Sequence, residues 1–210
     1  MRENNFSATA KGADFFICDI EYTNETGRFD LIAAHWPSSS SHRKDNRNAG
    51  LSFIEMKYMN KSMMNSSGIC AHIQDLAYYF NENQDHFLAL KEEMRYIFNQ
   101  KLELGLIDNQ KPIECFDDKN PDVILILANH DPDSAILFHE LMKIENMKAS
   151  LPFALKFAVS NFMGYGLYDQ NIYGLDEFTK KFSNQIFSNH YNESELVILR
   201  ITLPSRVHEY

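Results

Sequence analysis

Two stretches, Leu51-Ser52-Phe53-Ile54-Glu55-Met56-Lys57-Tyr58 and Val123-Ile124-Leu125-Ile126-Leu127-Ala128, decide the fold. The second is a continuous apolar run, the pattern of a strand buried on both faces and suited to a parallel central position. The first reads as a strand with an acid and an amine at its end. Between them lies a helical region: Ile69, Ile73, Leu76, Ala77 and Phe80, then Phe87, Leu90, Met94, Ile97, Phe98 and Leu102, recur at three- and four-residue spacing. Such a crossover lets the two strands lie parallel. Upstream, Asp14 to Tyr22 and Arg28 to Trp36 flank a turn composition, Thr23 to Gly27, and predict a β-hairpin. Pro37 ends the second strand, and a polar loop carrying His42, Arg43, Lys44 and Arg47 leads to the third.

Downstream, Asp131-Pro132-Asp133-Ser134 has the composition of a helix start, predicting a helix to about Glu145. Ala154 to Phe162 fits either a strand or a helix. A helix from Asp176 to about Ser188 and a closing strand from Leu196 to Leu203 complete the reading. The expected fold is a single α/β domain over residues 1–210, three-layer α/β/α, with a central mixed sheet of about five strands and helices on both faces.

Composition narrows the class. The chain has 210 residues, 44% of them hydrophobic, which excludes a disordered or collagen-like chain. Its longest clean apolar stretch is far short of the roughly 20 residues of a membrane span, so no membrane partner is expected. Three cysteines, Cys18, Cys70 and Cys115, with no CxxC pair argue against a disulfide framework and a cysteine zinc site, and point to a reducing cytoplasm. A net charge of −9 disfavours wrapping of nucleic acid by the whole surface and leaves room for a local basic patch.

Side chains two apart in a strand share a face, so Glu55 and Lys57 project together while Ile54 and Met56 point the other way. Asp30 sits among apolar residues of the preceding strand, in Arg28-Phe29-Asp30-Leu31-Ile32. Burying a lone carboxylate costs several kcal/mol, so these groups must compensate one another or hold a cation. Mg²⁺, with Mn²⁺ as substitute, takes oxygen ligands and keeps several waters; Asp30, Glu55 and the Met56 carbonyl are the candidate ligands. If Thr23 pairs with Arg28 in the hairpin, Glu21 falls opposite Asp30 and becomes a further candidate. Lys57 would orient a water and stabilise phosphoryl charge.

Asp30 followed by Glu55-Met56-Lys57, within a strand-strand-strand-helix-strand order, resembles the PD-(D/E)xK restriction-endonuclease-like superfamily. Gln74-Asp75-Leu76-Ala77-Tyr78 is similar to the QxxxY element of its RecB-type branch. The resemblance covers roughly Asp14 to Ala128. It implies a restriction-endonuclease-like fold and Mg²⁺-dependent hydrolysis of nucleic acid, with Asp30 and Glu55 as metal ligands, Lys57 as catalytic amine, and Gln74 and Tyr78 supporting the substrate side. Phe29 stands where the family often has proline. The family's opening acidic helix has no counterpart in residues 1–13, so either Glu21 takes that role or the chain begins part-way through a longer protein. The stretch from Phe15 to Pro37 also resembles a group of bacterial proteins of uncharacterised function, which implies no further mechanism.

The competing reading keeps the fold without the chemistry, a catalytically silent interaction module whose relic site binds a partner; the blandest reading makes Glu55 and Lys57 a surface-exposed pair on a half-solvated strand. A homodimer or larger assembly is compatible with either. His72 and His139 have no sequence partner at metal-ligand spacing, His35 and Trp36 read as packing or edge residues, and the Arg43, Lys44 and Arg47 loop reads as a solvated connection, with phosphate contact as the alternative. Pro121-Asp122 with Glu140 and Lys143 fails as a second motif, because the latter two sit in a helical pattern.

Overall fold

A computed structural model of the chain describes residues 5, 12–23, 28–58, 68–82, 84–109, 111–128, 135–160 and 172–180. Six strands, β1 (Phe15–Thr23), β2 (Arg28–His35), β3 (Gly50–Tyr58), β4 (Asp122–Ala128), β5 (Ala154–Ser160) and β6 (Ile172–Gly174), form one sheet in chain order. The first three are antiparallel neighbours; β3, β4 and β5 run parallel; β6 returns antiparallel. Helices α1 (Ile69–Glu82) and α2 (Gln84–Glu103) link β3 to β4, and α3 (Ala135–Met147) lies between β4 and β5.

The hairpin has the expected register, Thr23 opposite Arg28 and Tyr22 opposite Phe29. A bulge between Ile17 and Asp19 shifts it further along. The segment that fitted either a strand or a helix is β5: Leu155 and Phe157 face one way, Lys156 and Ala158 the other, and all pair with β4. β6 was not expected, because its three residues are too few for a periodic signal. Residues 175–180 are helical, and Phe178 stacks on Phe157 at 4.6 Å. The closing strand expected at Leu196–Leu203 lies outside the described residues.

Both crossovers advance in the same direction along the sheet. Right-handed connections of that kind put their helices on the same face. Accordingly Ile69 and Ile73 of α1, Leu90, Met94 and Phe98 of α2, and Leu137, Leu141 and Ile144 of α3 share one core with Ile32, Leu51, Phe53, Val123, Leu125 and Phe157. The opposite face carries a smaller cluster of Phe15, Ile17, Ala33, Ile54, Ile124, Ile126 and Ala158. Helices were expected on both faces; α1, α2 and α3 cover one.

The loop after Pro37 is no solvated connection at Arg43. Its guanidinium donates to the Pro37 carbonyl at 2.9 Å, the Ala13 carbonyl at 2.6 Å and Asn109 Oδ1 at 3.1 Å, and lies 4.6 Å over the Phe16 ring. Arg47 pairs with Glu114. These contacts clamp the segment between β2 and β3 to the rest of the domain.

Phe53 sits at the centre of the helix-face core, with ring centroids 4.7 Å from Phe29 and 5.0 Å from Phe80. Phe53→Ala leaves a cavity among aromatic neighbours and is expected to lower unfolding free energy by about 3–5 kcal/mol. In urea unfolding, exposed Tyr78→Ala, the control, should change stability by less than about 0.5 kcal/mol.

Candidate functional site

The β2–β3 ladder ends at the pair Leu31 and Ile54. Beyond it β3 stays paired with β4 through Glu55, Met56, Lys57 and Tyr58, whereas the ladder to β2 does not extend past Ile54. At that edge the Met56 N–H donates to Asp30 Oδ2 at 2.9 Å. The Asp30 carboxylate thus takes the place of a ladder carbonyl, which answers the need to satisfy an otherwise orphaned amide. A residue's N–H and C=O point to the same side of an extended strand, so the Met56 carbonyl also faces the gap beside Asp30.

One residue away on each side, Glu55 and Lys57 project on the helix face as expected. Lys57 Nζ donates to Glu55 Oε1 at 3.1 Å, and its side chain is only 5% exposed. The same Oε1 lies 2.9 Å from His72 Nδ1. His72 comes from the first turn of α1, at the rim of the stripe formed by buried Ile69, Ile73 and Leu76. Three groups from two elements therefore meet on one carboxylate oxygen. Burial by itself raises the Glu55 carboxyl, but the His72 hydrogen bond and the Lys57 charge outweigh it and hold the group below its ordinary value.

Glu55 Oε2 and Asp30 Oδ1 have no hydrogen-bond partner among the described residues. The Asp30 and Glu55 carboxylates and the Met56 carbonyl are thus the oxygens at this strand end with acceptor capacity left, oxygens of the hard type that Mg²⁺ or Mn²⁺ takes. Among the described residues no three His, Cys, Asp or Glu side chains converge closely enough to hold a metal ion, so Glu21 does not add a third carboxylate. Glu21 is exposed, with φ of 51°, in the left-handed region that a non-glycine residue seldom adopts.

Gln74 and Tyr78 are not brought to this cluster. Ile73, Leu76, Tyr79 and Phe80 take the buried side of α1, which turns Gln74 outward and leaves Tyr78 69% exposed. His72 is the residue that sequence reasoning missed. Its signal was present: His72 lies three residues after Ile69 and four before Leu76, on the edge of the face that packs against β3. Glu140 and Lys143, set aside as a second motif, pair with each other at 2.6 Å, and Glu140 accepts from the Cys70 amide at the start of α1.

Because the Glu55 carboxyl is lower in the folded chain than in the unfolded one, its stabilisation is present above the unfolded value and is lost as pH falls through the folded one. The stability difference between wild type and Glu55→Gln, measured by urea unfolding, should therefore hold near neutrality and shrink below about pH 4.5, the ordinary carboxyl value. A difference that stays constant to the acid limit would contradict the ionised Glu55 assignment.

Compared with known proteins, the chain matches no family model, no curated protein and no solved structure.

Proposed function

We propose that the chain is a metal-dependent nuclease of the PD-(D/E)xK type with a restriction-endonuclease-like fold, in which Asp30, Glu55 and the Met56 carbonyl hold Mg²⁺ or Mn²⁺. The observation that carries the reading is the Asp30 carboxylate lying against the Met56 amide, on the strand that also presents Glu55 and Lys57. Supporting it is the order of three antiparallel strands, a helical crossover and a parallel fourth strand. When bound, the cation would neutralise phosphate charge and acidify a coordinated water. Lys57 Nζ, fixed beside Glu55, donates to a phosphoryl oxygen and offsets charge as the phosphorus–oxygen bond breaks. His72 acts through Glu55 as a positioning residue, fixing which carboxylate oxygen remains open.

One observation favours the second reading, a silent interaction module. Glu55 already has a lysine and a histidine on one oxygen, so its charge is compensated without a cation. The two readings separate in thermal unfolding at matched ionic strength. A cation that binds only the folded chain stabilises it by about 2.7 kcal/mol at a hundredfold excess over Kd, and roughly 1 kcal/mol moves the midpoint by about 2–4 °C. The nuclease reading predicts a rise of several degrees with Mn²⁺, absent in the folded Asp30→Asn/Glu55→Gln variant. It also predicts Mn²⁺-dependent cleavage of DNA or RNA by the wild type. Asp30→Asn should lose cleavage and Mn²⁺ binding together, and Lys57→Ala should lose about 10²-fold or more in cleavage while keeping Mn²⁺. An unchanged midpoint with no cleavage would favour the interaction module.

A further inference from the structure

Glu140 stands where the packing of α3 calls for an apolar residue. Leu137, Phe138, Leu141 and Ile144 form the buried side of that helix, and Glu140 lies among them with 7% exposure. A carboxylate in such a stripe is costly unless it is engaged, and both of its oxygens are. Lys143 Nζ donates to Oε1 at 2.6 Å, and the Cys70 N–H donates to Oε2 at 3.1 Å. The second bond crosses to α1. The Gly68 carbonyl accepts the His72 amide at 3.1 Å, which makes Gly68 the cap residue of α1, and glycine has no side-chain oxygen to satisfy the amides of the first turn. Glu140 supplies that oxygen from a neighbouring helix, and its negative charge suits the positive end of the α1 dipole.

The turn it caps is the turn that carries His72. Successive helical residues are rotated by about 100°, so Cys70 and His72, two apart, look to opposite sides of α1. Cys70 faces α3, where its Sγ lies 3.7 Å from Met147 Sδ, and His72 faces β3, where Nδ1 lies 2.9 Å from Glu55 Oε1. The first turn is therefore held between two carboxylates, Glu140 on α3 and Glu55 on β3. Buried Ile69 and Ile73 fix which side of α1 packs on the sheet. Apolar burial is non-directional and tolerates a slide along the helix axis, whereas a hydrogen bond does not. A slide of one residue, about 1.5 Å, is enough to take His72 out of hydrogen-bond range of Glu55.

We propose that Glu140 is a positioning residue for the cluster at the end of β3: by capping α1 at Cys70 it fixes His72 on Glu55 Oε1. Its consequence for cleavage rests on the nuclease reading and its consequence for His72 does not, so the two are measured separately. Ring-nitrogen chemical shifts tell which nitrogen of a neutral histidine carries the proton, and the hydrogen bond to Glu55 keeps it on Nδ1. In nitrogen NMR spectra of the whole chain in alkaline buffer with EDTA, His72 should show the Nδ1–H tautomer in the wild type and in Glu140→Gln, which keeps an acceptor for the Cys70 amide. Glu140→Leu, which suits the apolar stripe, and Glu140→Ala should both lose it. Ile144→Val, which loosens the same helix without touching the cap, should keep it. With Mn²⁺ and a nucleic acid substrate, Glu140→Leu should lower kcat by about tenfold or more, and Glu140→Gln should restore most of it. A wild type that does not cleave overturns the nuclease reading, and the spectra still decide the role of Glu140. The proposal is overturned if folded Glu140→Leu or Glu140→Ala keeps the Nδ1–H tautomer, if Glu140→Gln or Ile144→Val loses it as fully as they do, or if Glu140→Leu matches the kcat of a wild type that cleaves.

Discussion

The bond between Lys57 and Glu55 constrains everything near the end of β3. An ammonium whose side chain is 5% exposed cannot be left alone there, since an unpaired buried charge costs several kcal/mol. Glu55 sits two residues away on the same face and receives it, and this half-buried carboxylate also holds His72 of α1. The first turn of α1 is thereby tied to the strand that precedes it. The ladder to β2 stops two residues earlier, and Asp30 satisfies the exposed amide. Strand end, helix start and carboxylates are set by one chain of charge compensation.

Topology decides what surrounds that chain. Two crossovers in the same direction place α1, α2 and α3 over one face, so Glu55, Lys57 and His72 lie on the covered face while Asp30 lies at the strand edge. A second polar group, Asp122 with Lys156 and His35, occupies the opposite face and the opposite strand ends. A fold of this kind can separate two polar groups because every strand of the parallel part has one end for each. No helix among the described residues is long and apolar enough to cross a membrane.

Much of this was legible in the sequence, and the reasons are local. The run Val123 to Ala128 read as a strand buried on both faces and is one, and the turn composition after Thr23 was compatible with the pairing of Thr23 and Arg28 that the hairpin shows. Glu55 and Lys57 share a face because strand periodicity is two. His72 escaped notice because its partner lies 17 residues upstream on another element, where neither strand nor helix period connects them. Gln74 and Tyr78 matched a motif by spacing, yet the apolar residues around them rotate that face to solvent. Arg43 read as a loop cation, but stacking on Phe16 and three hydrogen bonds are tertiary facts that composition does not carry.

The proposed cation site lies between Asp30 and Glu55, against the Met56 carbonyl. The most direct measurement is paramagnetic broadening of backbone amide resonances by substoichiometric Mn²⁺. Met56, Lys57, Asp30 and His72 are expected to broaden first, and Asp30→Asn to remove the effect. Broadening confined to other acidic surfaces, with these four amides unchanged, would contradict it.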